Sequence, residues 1–152
     1  MALTYAASHP EVQRVFSIAG TDHGEFAREY RSNQAMASQI DSIFEQLKRP
    51  NGPINFAGKD VPRKLADDPS PFDLRLAAPT LASRDILLVG GWDDSNVSVE
   101  NHLLPLHRAL EKANVVRIKF IALQTDHSFR NVRDELTTDL VRWIQSADSH
   151  SR

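Results

Sequence analysis

Along this chain, short apolar or alternating segments are separated by segments in which apolar residues recur at helical spacing. This pattern predicts strands separated by helices. A compact apolar segment at residues 12–19, closed by Gly20, indicates a buried strand. Residues 85–89, ahead of Gly90-Gly91, predict a second strand, and the alternation over residues 116–122 predicts a third. Strands that alternate with helices favour an α/β fold with a parallel sheet covered on both faces.

Helical spacing fills the segments between these strands. Asp22 followed by Glu25 resembles a capping box, so a helix is expected to begin near Gly24. Asn131 is a plausible N-cap for the last helix. The apolar positions that carry the helical period lie in residues 2–7, 36–47, 103–110 and 131–146.

The chain divides into four parts by these patterns. Residues 1–20 supply a helix and a strand, and residues 85–146 supply strand, helix, strand and helix. Between them, residues 21–84 are predicted to be a helical and irregular insertion, because prolines interrupt residues 50–84. An irregular segment of this length in a small domain often forms a lid. Residues 147–152 form a polar tail.

Composition excludes several classes of function. The 152 residues are 41% hydrophobic and 25% charged, with a formal net charge of −2. The sequence contains no basic stripe, so nucleic acid is not an expected partner. Apolar runs are too short to cross a membrane. The chain has no cysteine, which excludes disulfides and thiolate metal sites and suits a reducing cytosol. The first residues show no signal peptide, so a cytoplasmic protein is expected. No metal or organic cofactor is expected.

The candidate chemistry lies after two consecutive strands. Asp93 and Asp94 follow the strand at residues 85–89, and His127 follows the strand that ends near Leu123. Ligands of open α/β sheets collect outside the carboxyl ends of the strands. A carboxylate and an imidazole at neighbouring strand ends are the pair with which a hydrolase orients a general base.

These segments resemble the α/β-hydrolase family. Residues 90–97, Gly-Gly-Trp-Asp-Asp-Ser-Asn-Val, are similar to the family's acid loop, in which a valine typically follows the acid by three residues, as Val97 follows Asp94. Asp126-His127-Ser128-Phe129 is similar to the histidine loop, and an acidic residue before the histidine resembles the oligopeptidase-like members. The resemblance implies Asp94 as the orienting acid and His127 as the base. Asp93 is interpreted as a turn residue or a hydrogen-bond acceptor.

One part of the family pattern is missing. The nucleophile elbow G-x-S-x-G does not occur in the chain, and residues 1–7 resemble the helix that follows it. The resemblance therefore implies the C-terminal part of a serine hydrolase, an esterase or peptidase whose serine and oxyanion hole lie upstream. The chain alone is then expected to be inactive. The alternatives are a non-catalytic fragment that binds a ligand or partner, and a pseudo-hydrolase.

Other residues are weaker candidates. Trp92 and Phe129 flank the acid and the histidine, and both either pack in the core or line a substrate pocket. His23 sits in a predicted strand-end loop and is a further pocket candidate. His102 and His107 lie five residues apart, which is not the spacing of a helical metal pair. The expected partner is a small ester or peptide substrate, and the isolated chain is expected to self-associate through residues 12–19.

Overall fold

The computed structural model describes residues 2–47 and 60–146. Its sheet contains β1 (Arg14–Ile18), β2 (Asp85–Gly91) and β3 (Arg117–Leu123), with β2 in the centre and parallel to both neighbours. The predicted α/β class and all of the predicted strands are confirmed. Residues 48–59 of the predicted insertion and the predicted tail at residues 147–152 lie outside the described residues.

Helices cover both faces of this sheet. The α-helices are α1 (Ala2–Ser8), α2 (His23–Ser32), α3 (Gln34–Leu47), α4 (Val61–Asp67), α5 (Leu104–Lys112) and α6 (Arg133–Gln145). Short 3₁₀ turns occur at Ser70–Phe72, Ala78–Leu81 and Arg130–Val132, and a π-turn occurs at Val99–Leu103. Within the described ranges, none of these helices has both the length and the apolar character needed to cross a membrane.

The central strand divides the core into two layers. Every residue of β2 is buried, which explains its continuous apolar run. Ile86 and Leu88 face one layer, which α1 and α5 cover, whereas Leu87 and Val89 face the layer that contains Trp143 of α6. The alternation of side chains along a strand produces this division.

A charged triplet fixes the register at the beginning of the sheet. Arg14, Asp85 and Arg117 are aligned across the three strands. The Asp85 carboxylate accepts from Arg14 Nε at 2.9 Å and lies 3.0 Å from Arg117 Nη2. Arg14 also stacks its guanidinium 4.1 Å from the Trp143 ring centroid. A slip of one residue in either strand would separate these charges.

The described parts of the insertion, residues 21–47 and 60–84, contain more helix than the sequence indicates. The expected helix after Asp22 ends at Asn33, where a second helix begins, because Asn33 Oδ1 accepts from the Met36 amide at 3.1 Å. A helix also occupies Val61–Asp67 within the stretch expected to be irregular. Asn131 is not the N-cap of the last helix, since its side chain bonds Gln124 and Thr125 instead.

Truncating the central strand tests this packing. Leu88→Ala is expected to lower the free energy of unfolding by about 2 to 5 kcal/mol, because Leu88 is 1% exposed and a cavity would remain. Leu76→Ala is the matched control, since Leu76 is 68% exposed and should change stability by less than about 0.5 kcal/mol. Urea unfolding measures both, and equal losses would contradict the assigned core.

Candidate functional site

The ladder between β2 and β3 continues beyond the strands and joins two loops. The Trp92 amide donates to the Leu123 carbonyl at 2.9 Å, and the Asp93 amide donates to the Thr125 carbonyl at 3.0 Å. Gly91 permits this approach, because a Cβ at that position would lie 2.4 Å from the Thr125 carbonyl oxygen. The acid loop after β2 and the histidine loop after β3 are thereby held side by side.

Asp94 and His127 meet at this junction. Asp94 Oδ2 lies 2.8 Å from His127 Nδ1. The other carboxylate oxygen, Oδ1, accepts from the amides of Asn96 at 2.8 Å and Val97 at 2.9 Å. Asp94 is 3% exposed, and the three contacts hold its carboxylate in one orientation. The predicted juxtaposition of the acid and the histidine at adjacent strand ends is therefore found.

The His127 ring faces solvent while its acid partner is buried. The side chain of His127 is 47% exposed, in contrast to 0% for Asp94. An acceptor on Nδ1 favours the tautomer in which that nitrogen carries the proton, and Nε2 is then the basic nitrogen. Among residues 2–47 and 60–146, the only side-chain hydrogen bond of His127 is the one to Asp94. The ring can therefore take a proton from a group that approaches from solvent.

The histidine loop is held by its own short bonds. Asp126 Oδ1 accepts from the Ser128 amide at 2.8 Å and from the Ser128 hydroxyl at 2.6 Å. These bonds hold the pKa of Asp126 below its usual value, and the bond from the Ser128 hydroxyl has the larger effect. Phe129 adopts a left-handed backbone, with φ of 53°, and its side chain packs in the core layer of Trp143. Phe129 therefore anchors the loop from below and belongs to the core, which was one of its two expected roles.

The remaining predicted residues surround the pair differently. Trp92 is 46% exposed beside the acid loop. Asp93 accepts from Gln124 Nε2 at 2.7 Å, which is the hydrogen-bond acceptor role that was one of its two expected roles. His23 is the first residue of α2 and lies against Phe72, with ring centroids 6.1 Å apart. Burial lowers the pKa of His23 below its usual value.

An ion-pair network that the sequence did not indicate anchors the insertion. Asp22 is fully buried, and its Oδ1 accepts from the amides of Gly24 and Leu74, each at 3.1 Å. Burial raises the pKa of Asp22, and the Leu74 amide opposes that rise. Arg28 bridges Glu25 and Asp73, each at 2.7 Å. No sequence signal links Asp73 to Arg28, because 45 positions separate the two residues along the chain.

Within residues 2–47 and 60–146, no group of three or more histidine or acidic side chains is arranged to hold a metal ion.

Closing the space above Gly91 tests how the two loops are held together. Gly91→Ala should lower the free energy of unfolding by about 1 to 3 kcal/mol, because the new methyl group collides with the Thr125 carbonyl. Gly20→Ala is the control, since its nearest obstacle is the Ser17 hydroxyl, a side-chain atom that can rotate away. Chemical denaturation compares the two variants, and an unaltered Gly91→Ala protein would contradict the close approach.

The sequence was compared with protein-family models and with curated proteins. The chain matches no protein-family model, and no curated protein matches it either. The geometry of Asp94 and His127 is therefore the basis on which a function is inferred.

Proposed function

We propose that Asp94 and His127 are the acid and the base of a Ser-His-Asp triad in a serine hydrolase of the α/β-hydrolase fold. The observation that carries this proposal is the 2.8 Å contact between Asp94 Oδ2 and His127 Nδ1, with a buried carboxylate and an exposed imidazole. A three-stranded parallel sheet flanked by helices is compatible with part of that fold. The proposed reaction is hydrolysis of an ester or amide bond, including peptide bonds.

The role of each group follows from its surroundings. His127 Nε2 would take the proton of an attacking serine hydroxyl and then deliver it to the leaving group. Asp94 would hold the Nδ1–H tautomer and stabilise the imidazolium that forms. Because the amides of Asn96 and Val97 bind its other oxygen, the carboxylate need not reorient during the reaction.

The nucleophile is proposed to come from sequence upstream of these 152 residues. The chain contains no cysteine, and its one serine directly beside the histidine, Ser128, donates its hydroxyl to Asp126. The same upstream segment would supply the oxyanion donors. Trp92 and His23 are proposed as substrate contacts. If no serine is supplied, the alternative is a non-catalytic ligand- or partner-binding fragment or a pseudo-hydrolase.

The triad proposal predicts the effect of changing each member. In protein extended upstream through a nucleophile elbow, His127→Ala should reduce kcat for a nitrophenyl ester by on the order of 10⁶-fold. Asp94→Asn should reduce kcat by ~10⁴-fold, because the wrong histidine tautomer becomes favoured. The 152-residue chain itself should show no turnover.

Matched controls separate catalysis from folding in this experiment. His107→Ala and Asp67→Asn remove the same types of group outside the acid and histidine loops, and turnover should stay close to that of the parent. Reaction of a fluorophosphonate probe with a serine of the 152-residue chain would overturn the proposal that the nucleophile lies upstream. Full activity of extended His127→Ala protein would overturn the role of the histidine.

We also propose that the isolated chain associates with itself through β1. Within the described residues β1 pairs on one side only, and Phe16 on it is 43% exposed. An unpaired edge with an exposed apolar side chain is a template for another strand. The expected small-molecule substrate would bind at a different place, beyond the carboxyl ends of β2 and β3.

Light scattering at micromolar concentration tests this association. The wild-type chain should exceed the monomer mass, and Phe16→Lys should shift it toward monomer, because a charge on the edge opposes pairing. Phe72→Lys is the control, since Phe72 is similarly exposed, at 39%, but lies outside β1 and should leave the association unchanged. A wild-type chain that stays monomeric would contradict the proposal.

A further inference from the structure

A cavity with no role in the triad lies between the insertion and the acid loop. Its volume is about 340 Å³. Glu29 of α2 and Met36 of α3 line one side, whereas Asn96 and His102 line the other. The rest of its wall consists of serine and asparagine side chains. One water occupies roughly 30 Å³ in the liquid, so the cavity is large enough for a small organic molecule.

Two polar side chains of this cavity have unmet hydrogen-bonding capacity. His102 is 4% exposed, and its Nδ1 has no hydrogen-bond partner among the described residues. Glu29 Oε2 is buried and also forms no hydrogen bond there, although His102 Nε2 lies 3.4 Å away in an ion-pair contact. Glu29 Oε1 is satisfied by Asn101 Nδ2 at 3.1 Å. Buried polar atoms are normally paired, so these atoms favour an additional partner.

The backbone that presents His102 is an unusual one. The π-turn Val99–Leu103 carries the residue, and such turns are rare and frequent at functional sites. Pro105 has no amide hydrogen with which to bond the Asn101 carbonyl in an α-helix. That carbonyl instead accepts from Arg75 Nη2 at 3.0 Å. The wide turn is therefore supported from outside the helix, and it keeps His102 beside Glu29.

The charge of the cavity indicates the kind of ligand. Among the described residues that line it, Glu29 is the one acidic residue and none is a lysine or an arginine. An anion would be repelled by the Glu29 carboxylate, whereas an ammonium group offers three N–H donors to Glu29 and to the surrounding amide and hydroxyl oxygens. Met36 supplies an apolar contact for an attached carbon chain. We propose that this cavity binds the primary ammonium group of a ligand of amino-acid size, with Glu29 as its charge partner.

This site is independent of the hydrolase proposal. Binding requires Glu29 and the cavity, and it does not require a nucleophile. The cavity nevertheless adjoins the acid loop, because Asn96 lines it while the Asn96 amide holds Asp94. A bound ligand would therefore contact the turn that orients the proposed catalytic acid.

Calorimetric titration of the 152-residue chain with L-leucinamide tests the proposal. L-leucinamide should bind at millimolar concentration or below, and N-acetyl-L-leucinamide should not, because acetylation removes the ammonium charge. Glu29→Gln should weaken binding by about tenfold to a hundredfold, since a charged hydrogen bond becomes a neutral one. Glu100→Gln is the matched control, because Glu100 is exposed on the same π-turn and should leave the affinity unchanged.

A second variant keeps the test decisive if Glu29→Gln fails to fold. Met36→Lys places a tethered ammonium group in the cavity, and Met36 is only partly buried, so the fold should tolerate it. Thermal melting checks folding, and L-leucinamide binding should be lost. Equal binding of both compounds, no binding of either to wild type, or unchanged affinity in folded Met36→Lys protein would overturn the proposal.

Discussion

The hydrogen-bond ladder between β2 and β3 is the constraint on which the site depends. It continues past the last paired residues through the Trp92 and Asp93 amides, so the loops after both strands are held at one spacing. Gly91 makes that spacing possible because any side chain there would collide with the Thr125 carbonyl. The 2.8 Å contact of Asp94 with His127 is a consequence of this shared backbone, rather than of attraction between two mobile side chains.

Ion pairs hold distant parts of the insertion together, and Leu74, Ala78 and Leu81 pack it into the core layer of the sheet. Asp22 and Asp73 meet Arg28 and Arg75 beneath α2, and Glu29 reaches the π-turn. Salt bridges that are this buried depend on complete pairing, because an unpartnered charge would be costly. The unmet atoms of Glu29 and His102 belong to side chains that line the cavity, which is where we propose that a ligand binds.

The sheet and the acid–histidine pair were predictable because their signals are local. β1 and β2 are short apolar segments, β3 alternates apolar with polar residues, and each of Asp94 and His127 follows one of these strands. The insertion was harder to predict, since Pro62 suggests irregular chain yet is favourable in the first turn of α4. The pairing of Glu29 with His102 carries no local signal at all, because the two residues are brought together only by the tertiary fold.

The most direct test of the central claim is nitrogen NMR of the histidine side chains in the 152-residue chain at neutral to mildly alkaline pH. If Asp94 holds His127, the neutral ring should carry its proton on Nδ1 and show an unprotonated Nε2, and Asp94→Asn should change that tautomer. His107 serves as the internal control and should be unaffected. A His127 ring that is protonated on Nε2 in the wild-type chain, or one that does not respond to Asp94→Asn, would contradict the account.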